Sequence, residues 1–457
     1  MHETLLALIV IIPMMVALFL VFSNNKIYKL VLLLTAQSFG IISAVILLSH
    51  TVDGTAIFNT MGGWEAAYGI QITADKYTAL MLLLINVISL TATLHSFQKE
   101  RKNFFYSILI LCHTGLSGMI ISNDLFNIYV FLELSSLATY ALIATKHTHS
   151  SYKAAFEYLV IGTIAATFYL IGVGLLYATT GNLNITAIAA APELLFSSRI
   201  GRAGILLTIL GLSAKCAIFP LHFWLVRCYS ATSTTVATFL SGTSSKVGLY
   251  LLAKFIYTIF GERVFIFPVV GLDKIILISS ALAIIFCGIQ AILSKEIKQA
   301  LSYSSVSQIG YIILTLSLDS VYSIPIAMLQ MFAHAFAKSA LFILSGGVQS
   351  EKNKKHSFVQ DCYLLISTLS LAGIPITAGF LGKVQLLMLV IQTGHYVTLA
   401  TLIIGSIIAL MYSWRIFTLL RQQLGGNSSI FYHAPLSALS LLNIVTIFAG
   451  THFLNLL

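Results

Sequence analysis

The chain has 457 residues, 58% of them hydrophobic and 9% charged, with a formal net charge of +10. Soluble domains carry about 25% charged residues, so this composition excludes a soluble globular protein and points to an integral membrane protein. The apolar runs are long and continuous rather than alternating in segments of about 10 residues, which favours membrane helices over a β-barrel.

A membrane span needs about 20 apolar residues. Fourteen candidates follow in chain order: 4–22, 30–49, 77–97, 104–122, 124–145, 155–180, 203–224, 233–260, 274–294, 301–318, 321–347, 362–393, 395–420 and 434–456. The start, "MHETLLALIVIIP", has no basic region before its apolar run, so it reads as a first membrane helix rather than a cleaved signal. The turn-rich "DGTAIFNTMGGWEAAYG" within 50–76 is the main long connection. The expected organisation is one polytopic membrane domain over 1–457. N-terminal helices fill 1–103, a first repeat 104–260, a second repeat 274–420, and a last helix 434–456. The five cysteines (Cys112, Cys216, Cys228, Cys287 and Cys362) have no metal or disulfide spacing and read as small apolar residues. No nucleotide loop, flavin or iron–sulfur ligand set, metal site or nucleophile constellation is present in the sequence, so neither a cofactor nor a catalytic centre is expected.

The basic residues sort by side. Fifteen fall on one set of alternating loops and helix ends: Lys26, Lys29, Lys99, Arg101, Lys102, Lys146, Lys153, Arg227, Lys295, Lys298, Lys352, Lys354, Lys355, Arg415 and Arg421. Five fall on the opposite set: Lys76, Arg199, Arg202, Arg263 and Lys274. The basic side is cytoplasmic by the positive-inside rule. That places both termini outside the cytoplasmic membrane and makes the net charge a topology signal rather than a nucleic-acid footprint.

The remaining five lysines lie inside expected spans and one acid, Glu133, sits near the middle of its helix; a charge at mid-membrane costs roughly 2.5–3.5 kcal/mol on insertion scales. Glu133 is nine residues past Asp124, about 13–14 Å down its helix. It is either a structural ion-pair residue or a protonatable group on an ion path. In "LSAKCAIFPLHFWL", Lys215 stands beside the helix breaker Pro220, a combination that predicts a hydrated gap. His222 in the same stretch has no assigned role beyond satisfying the broken backbone. Lys246 sits in a run of threonines and serines able to glue helices or line a water chain. Lys254, two turns on, is expected to snorkel. His334 and Lys338 share one helix face at i, i+4. Lys383 follows Pro375, Gly373, Gly379 and Gly382 in a partial echo of the Lys215 segment, 168 residues later. Two interrupted helices in corresponding halves are the mark of a repeat-built transporter. Gln308, in "ALSYSSVSQIGY", can hydrogen-bond but cannot titrate.

The segments "DLFNIYVFLEL", "AKCAIFPLHFWL", "SGTSSKVGLYLL", "IKQALSYSSVSQIGYI", "HAFAKSALF" and "GIPITAGFLGK" together resemble the antiporter-like subunits shared by respiratory complex I and the Mrp-type multisubunit cation/proton antiporters. The resemblance covers nearly the whole chain and is closest to the D-type subunits of the Mrp antiporters. It implies fourteen helices with two inverted five-helix repeats and two broken helices. It also implies partner membrane subunits, and protons with Na⁺ or another monovalent cation as cargo. On the matching positions it implies a proton pathway through Glu133, Lys215, Lys246, His334, Lys338 and Lys383, with breaks at Pro220 and Pro375. Pairing of Glu133 with Lys215 would tune how tightly the lysine holds its proton. Two other readings stay open: a proton-pumping subunit of NADH-quinone oxidoreductase, and a structural membrane scaffold. Val226 and Arg227 depart from the proline and acid that the family usually carries there.

Overall fold

In lipid a chain can satisfy its backbone only within helices or a closed barrel, and the computed structural model is almost entirely helical. It describes residues 2–22, 25–66, 68–98, 101–260, 272–318, 320–347, 357–424 and 429–456. Lys99, Arg263, Lys352, Lys354 and Lys355, used above for the topology, lie outside these residues. Among the described residues ten helices are long and apolar enough to cross a membrane, with two shorter apolar helices at Phe358–Ala372 and Ala378–Thr393.

The helices run α1 (His2–Phe22), α2 (Lys26–Thr51), α3 (Lys76–Ser96), α4 (Asn103–Ile121), α5 (Leu125–Ala144) and α6 (His149–Thr180). Two short turns, α7 (Ile185–Ala189) and α8 (Pro192–Ser197), lead into α9 (Arg199–Lys215), α10 (Phe223–Ala231), α11 (Thr234–Gly242) and α12 (Ser244–Lys254). Then come α13 (Leu272–Leu282), α14 (Gly288–Leu293), α15 (Ile297–Leu316), α16 (Ser323–Gly346), α17 (Phe358–Ala372), α18 (Ala378–Thr393), α19 (Tyr396–Gln423) and α20 (Ile430–Leu456). Single π-helical turns follow α12 at Phe255–Phe260 and join α13 to α14 at Ala283–Cys287. The turn-rich segment after α2 forms a small antiparallel hairpin, β1 (Ile57–Thr60) with β2 (Gln71–Ala74).

Three of the expected spans are interrupted, two of them where Pro220 and Pro375 stand and the third without a proline. Span 203–224 stops at Lys215 and resumes at Phe223; Pro220 lies in the non-helical link, where Ala217 has a left-handed φ of 57°. Span 233–260 is interrupted at Thr243, with φ −119° and ψ −67°. Span 362–393 stops at Ala372 and resumes at Ala378, with Gly373 at φ 78° and Ile376 at φ 76° on either side of Pro375.

The chain forms two compact units. The first comprises Met1–Leu90, Arg101–Cys216 and Val247–Ile266. Its helices pack through small residues, as membrane helices do where apolar burial alone gives no preference over lipid. A Cβ on Gly115 would lie 2.8 Å from the Ser135 backbone nitrogen, so α4 and α5 approach closely. Ser107 Oγ donates to the Ala17 carbonyl at 2.6 Å, joining α4 to α1. At one end, Gln71 Oε1 accepts from Asn123 Nδ2 at 2.7 Å and Asn184 Nδ2 at 2.9 Å, tying the hairpin to the links before α5 and α7.

The second unit comprises Thr91–Glu100, Ala217–Lys246 and Phe267–Leu457. Its centre is α16, whose most apolar 18-residue window is 100% buried. It packs against α11, α15, α17, α18 and α20. An apolar cluster beside it includes Ile284, Leu314, Ile326, Leu386, Val390 and Leu402.

Candidate functional site

In the first unit, Lys215 is the last residue of α9 and is 5% exposed. Its Nζ donates to Ser136 Oγ at 2.5 Å and to Tyr158 OH at 3.0 Å, and lies 5.2 Å from the Tyr158 ring centre. The ammonium is therefore held by neutral hydroxyls of α5 and α6. Glu133 makes no direct ion pair with Lys215 but couples to it electrostatically; it sits one helical turn before Ser136, half-buried. It lies on the face of α5 that carries the exposed Val130 and Leu137. Lys254 Nζ donates to the Ser122 carbonyl at the end of α4, at 2.9 Å. A buried histidine that the sequence reading passed over, His113, lies on α4 with Ser117 Oγ at 3.5 Å from Nε2.

In the second unit, Lys246 is fully buried and donates to the Ser241 carbonyl, which the interruption at Thr243 leaves near the end of α11. Ser245 Oγ is a second acceptor at 3.4 Å. Lys338, also fully buried, donates to the Leu301 carbonyl at 2.8 Å and Ser304 Oγ at 2.5 Å on α15. His334, one turn back on α16, is 4% exposed, and neither ring nitrogen has a well-formed hydrogen bond. Gln330 precedes it by four residues, accepts from Thr315 Oγ1 at 3.2 Å and donates to the Gly382 carbonyl at 3.2 Å. Gln330, His334 and Lys338 thus make a polar stripe about 12 Å long on one face of α16.

Lys383 lies next to the residue Gln330 bonds. Its Nζ turns back across the break to the carbonyls of Leu371 at 3.1 Å and Ala372 at 2.9 Å, over the Tyr311 ring at 4.9 Å. The two broken helices are therefore alike in backbone but not in chemistry. Lys215 precedes its break and bonds hydroxyls of neighbouring helices. Lys383 follows its break and bonds the carbonyls the break sets free. Every one of these ammonium groups meets hydroxyl or carbonyl oxygens rather than a carboxylate.

His222 faces the backbone of Pro220 within the break, as expected, without closing a well-formed hydrogen bond to it. It is fully buried, stacks between Phe219 at 5.1 Å and Phe223 at 4.4 Å, and has no well-formed hydrogen bond at either ring nitrogen. The partners Ser136, Tyr158, Gln330 and Tyr311 escaped the sequence reading, because hydroxyls, amides and rings are common in membrane helices and carry no charge to mark them.

The chain is similar to known proteins in sequence and in fold. Residues 122–409 match the NADH:quinone oxidoreductase/Mrp antiporter transmembrane family. The chain is 34% identical over 429 residues to the N subunit of NADH-quinone oxidoreductase from Desulforudis audaxviator, covering 90% of this chain and 85% of that protein. It is 29% identical over 429 residues to the D subunit of the Na(+)/H(+) antiporter from Bacillus subtilis, covering 89% and 85%. Among solved structures, a chain of the Mrp complex from Dietzia sp. DQ12-45-1b shares the fold with a TM-score of 0.91 at 22% identity, over 99% of this chain and 96% of that one. A chain of the membrane-bound sulfane sulfur reductase, an archaeal respiratory membrane complex, matches with a TM-score of 0.89 at 26% identity, over 99% and 96%. With most of its length matched in sequence, the chain belongs to the NADH:quinone oxidoreductase/Mrp antiporter family.

Proposed function

We propose that the chain is the proton-translocating subunit of a multisubunit monovalent cation/proton antiporter in the cytoplasmic membrane, with other membrane subunits as partners. Its cargo is protons, exchanged for Na⁺ or a similar cation. The carrying observation is the set of lysines buried in membrane helices on neutral oxygens. Each is costly to place there, and none is neutralised by a contacting carboxylate, so each is able to give up its proton without stranding a paired charge. Glu133, Lys215, Lys246, His334, Lys338 and Lys383 are the proposed pathway residues, with the interruptions around Pro220 and Pro375 as its flexible joints. Fourteen spans, two inverted five-helix repeats and both termini on the outer side complete this reading.

Replacing Lys215 with Ala in the assembled complex is expected to abolish cation-driven proton movement in membrane vesicles. Wild-type transport in an assembled Lys215→Ala complex overturns its role. The 34% identity to an oxidoreductase N subunit supports a second reading, a proton-pumping subunit of an NADH-quinone oxidoreductase. Purifying the native complex through this chain separates the two. Co-purifying redox subunits select the oxidoreductase, and small membrane subunits alone select the antiporter.

A further inference from the structure

The C-terminus of α17 must dispose of the last four helical carbonyls, which have no partner within the helix. Leu369 accepts from the backbone N–H of Gly373 at 2.9 Å and of Ile374 at 3.0 Å, and Ser370 from Gly373 at 3.2 Å. This is a Schellman-type end, and it uses the left-handed Gly373. It leaves Leu371 and Ala372. Lys383 takes both, and Gly373 makes room for its stem: a Cβ there would lie 2.5 Å from Lys383 Cδ.

The Leu371 carbonyl has a second donor. Gln308 Nε2 on α15 reaches it at 3.2 Å and also donates to Tyr412 OH on α19 at 2.6 Å. A carbonyl can only accept, so the nitrogen end of the amide must face it, and the direction of both bonds is fixed. Gln308 is 9% exposed and Tyr412 fully buried, so the arrangement is built rather than incidental.

We propose that Gln308 is a positioning residue for Lys383: a donor that never titrates, which keeps the Leu371 carbonyl satisfied and the end of the broken helix in place while Lys383 releases and regains its proton. The proposal rests on the reading of Lys383 as a proton carrier. Facing Lys383 are two carbonyls from α17, the Tyr311 ring from α15 and, through Gln308, the Tyr412 hydroxyl from α19; α16 contributes Gln330 at the Gly382 carbonyl. All are neutral. With Gln308 removed, the Leu371 carbonyl depends on Lys383 alone, and a carbonyl with one donor holds the charged ammonium more strongly.

The test is the pH profile of proton movement in vesicles holding the assembled complex. Gln308→Leu is expected to shift the profile toward alkaline pH by about 0.5–1 unit, the equivalent of one neutral hydrogen bond. Tyr412→Phe, which leaves the Leu371 bond but frees the amide to turn, is expected to shift it the same way by less. An unshifted Gln308→Leu profile overturns the proposal, and if that variant does not assemble, an unshifted Tyr412→Phe profile does so. Lys383→Met separates the two levels. Transport retained there refutes the Lys383 reading itself. Transport lost there, with unshifted Gln308→Leu, refutes only the role of Gln308.

Discussion

A lysine in a membrane helix is conspicuous, and its hydrogen-bond partners are not. Lys215 is held by Ser136 and Tyr158, and hydrogen bonds to a charged group are worth about 1.5–3 kcal/mol each. Tyr158→Phe is therefore expected to destabilise the purified assembly by about that amount, read as a lower thermal midpoint. The loss should nearly vanish when Lys215 is already Met, because the hydroxyl then has no ammonium to serve. Equal losses in both backgrounds would show that Tyr158 matters only for packing. The charge positions were readable in the sequence because a lysine in an apolar run has few innocent explanations. Their acceptors were not, because Ser136 and Tyr158 look like any serine and tyrosine until the folding of α5, α6 and α9 brings them together. Glu133 shows the opposite failure. Its depth was readable, but which face of α5 it occupies was not, and its link to Lys215 is an electrostatic coupling rather than a direct ion pair.

At the level of elements, proline and glycine marked two of the three interruptions. The third, at Thr243, lies in a run of threonines and serines with no proline, and hydroxyl content alone does not reveal a break. Both proline-marked breaks place a non-glycine residue in the left-handed region, Ala217 and Ile376. For a β-branched residue such as Ile376 that conformation is strained. Its side chain is 75% exposed, so little packing is lost on removing it. Ile376→Gly is therefore expected to raise the stability of the purified protein by about 1 kcal/mol, the left-handed penalty less the extra chain entropy of glycine. A lowered thermal midpoint would mean that the Ile376 side chain packs against a partner subunit.

At the level of the whole molecule, the distribution of basic residues predicts sidedness. Ser150 at the start of α6, beside Lys146 and Lys153, and Ser197, beside Arg199 and Arg202, are both exposed. With the five native cysteines buried or half-buried, a cysteine at position 150 is expected to react with a membrane-impermeant maleimide only in inside-out vesicles. One at position 197 is expected to react only in right-side-out cells. The reverse pattern would invert the topology. Helical class and most span positions were readable because apolar length is itself the physical requirement for crossing a bilayer. The division into two compact units was not, because it depends on which helices pack together.

The enclosure of α16 has a consequence for how the protein is made. This helix carries His334 and Lys338 yet has an entire 18-residue window buried by protein. During synthesis it leaves the ribosome before α17, α18 and α20, three of the helices that enclose it, have been translated. A helix bearing a lysine and a histidine enters bare lipid at a cost that its finished surroundings remove. Membrane insertion of this segment is thus coupled to the arrival of the helices that follow it. Chains truncated after α16 are expected to expose the segment to proteolysis or leave it uninserted, whereas chains that run through α20 protect it.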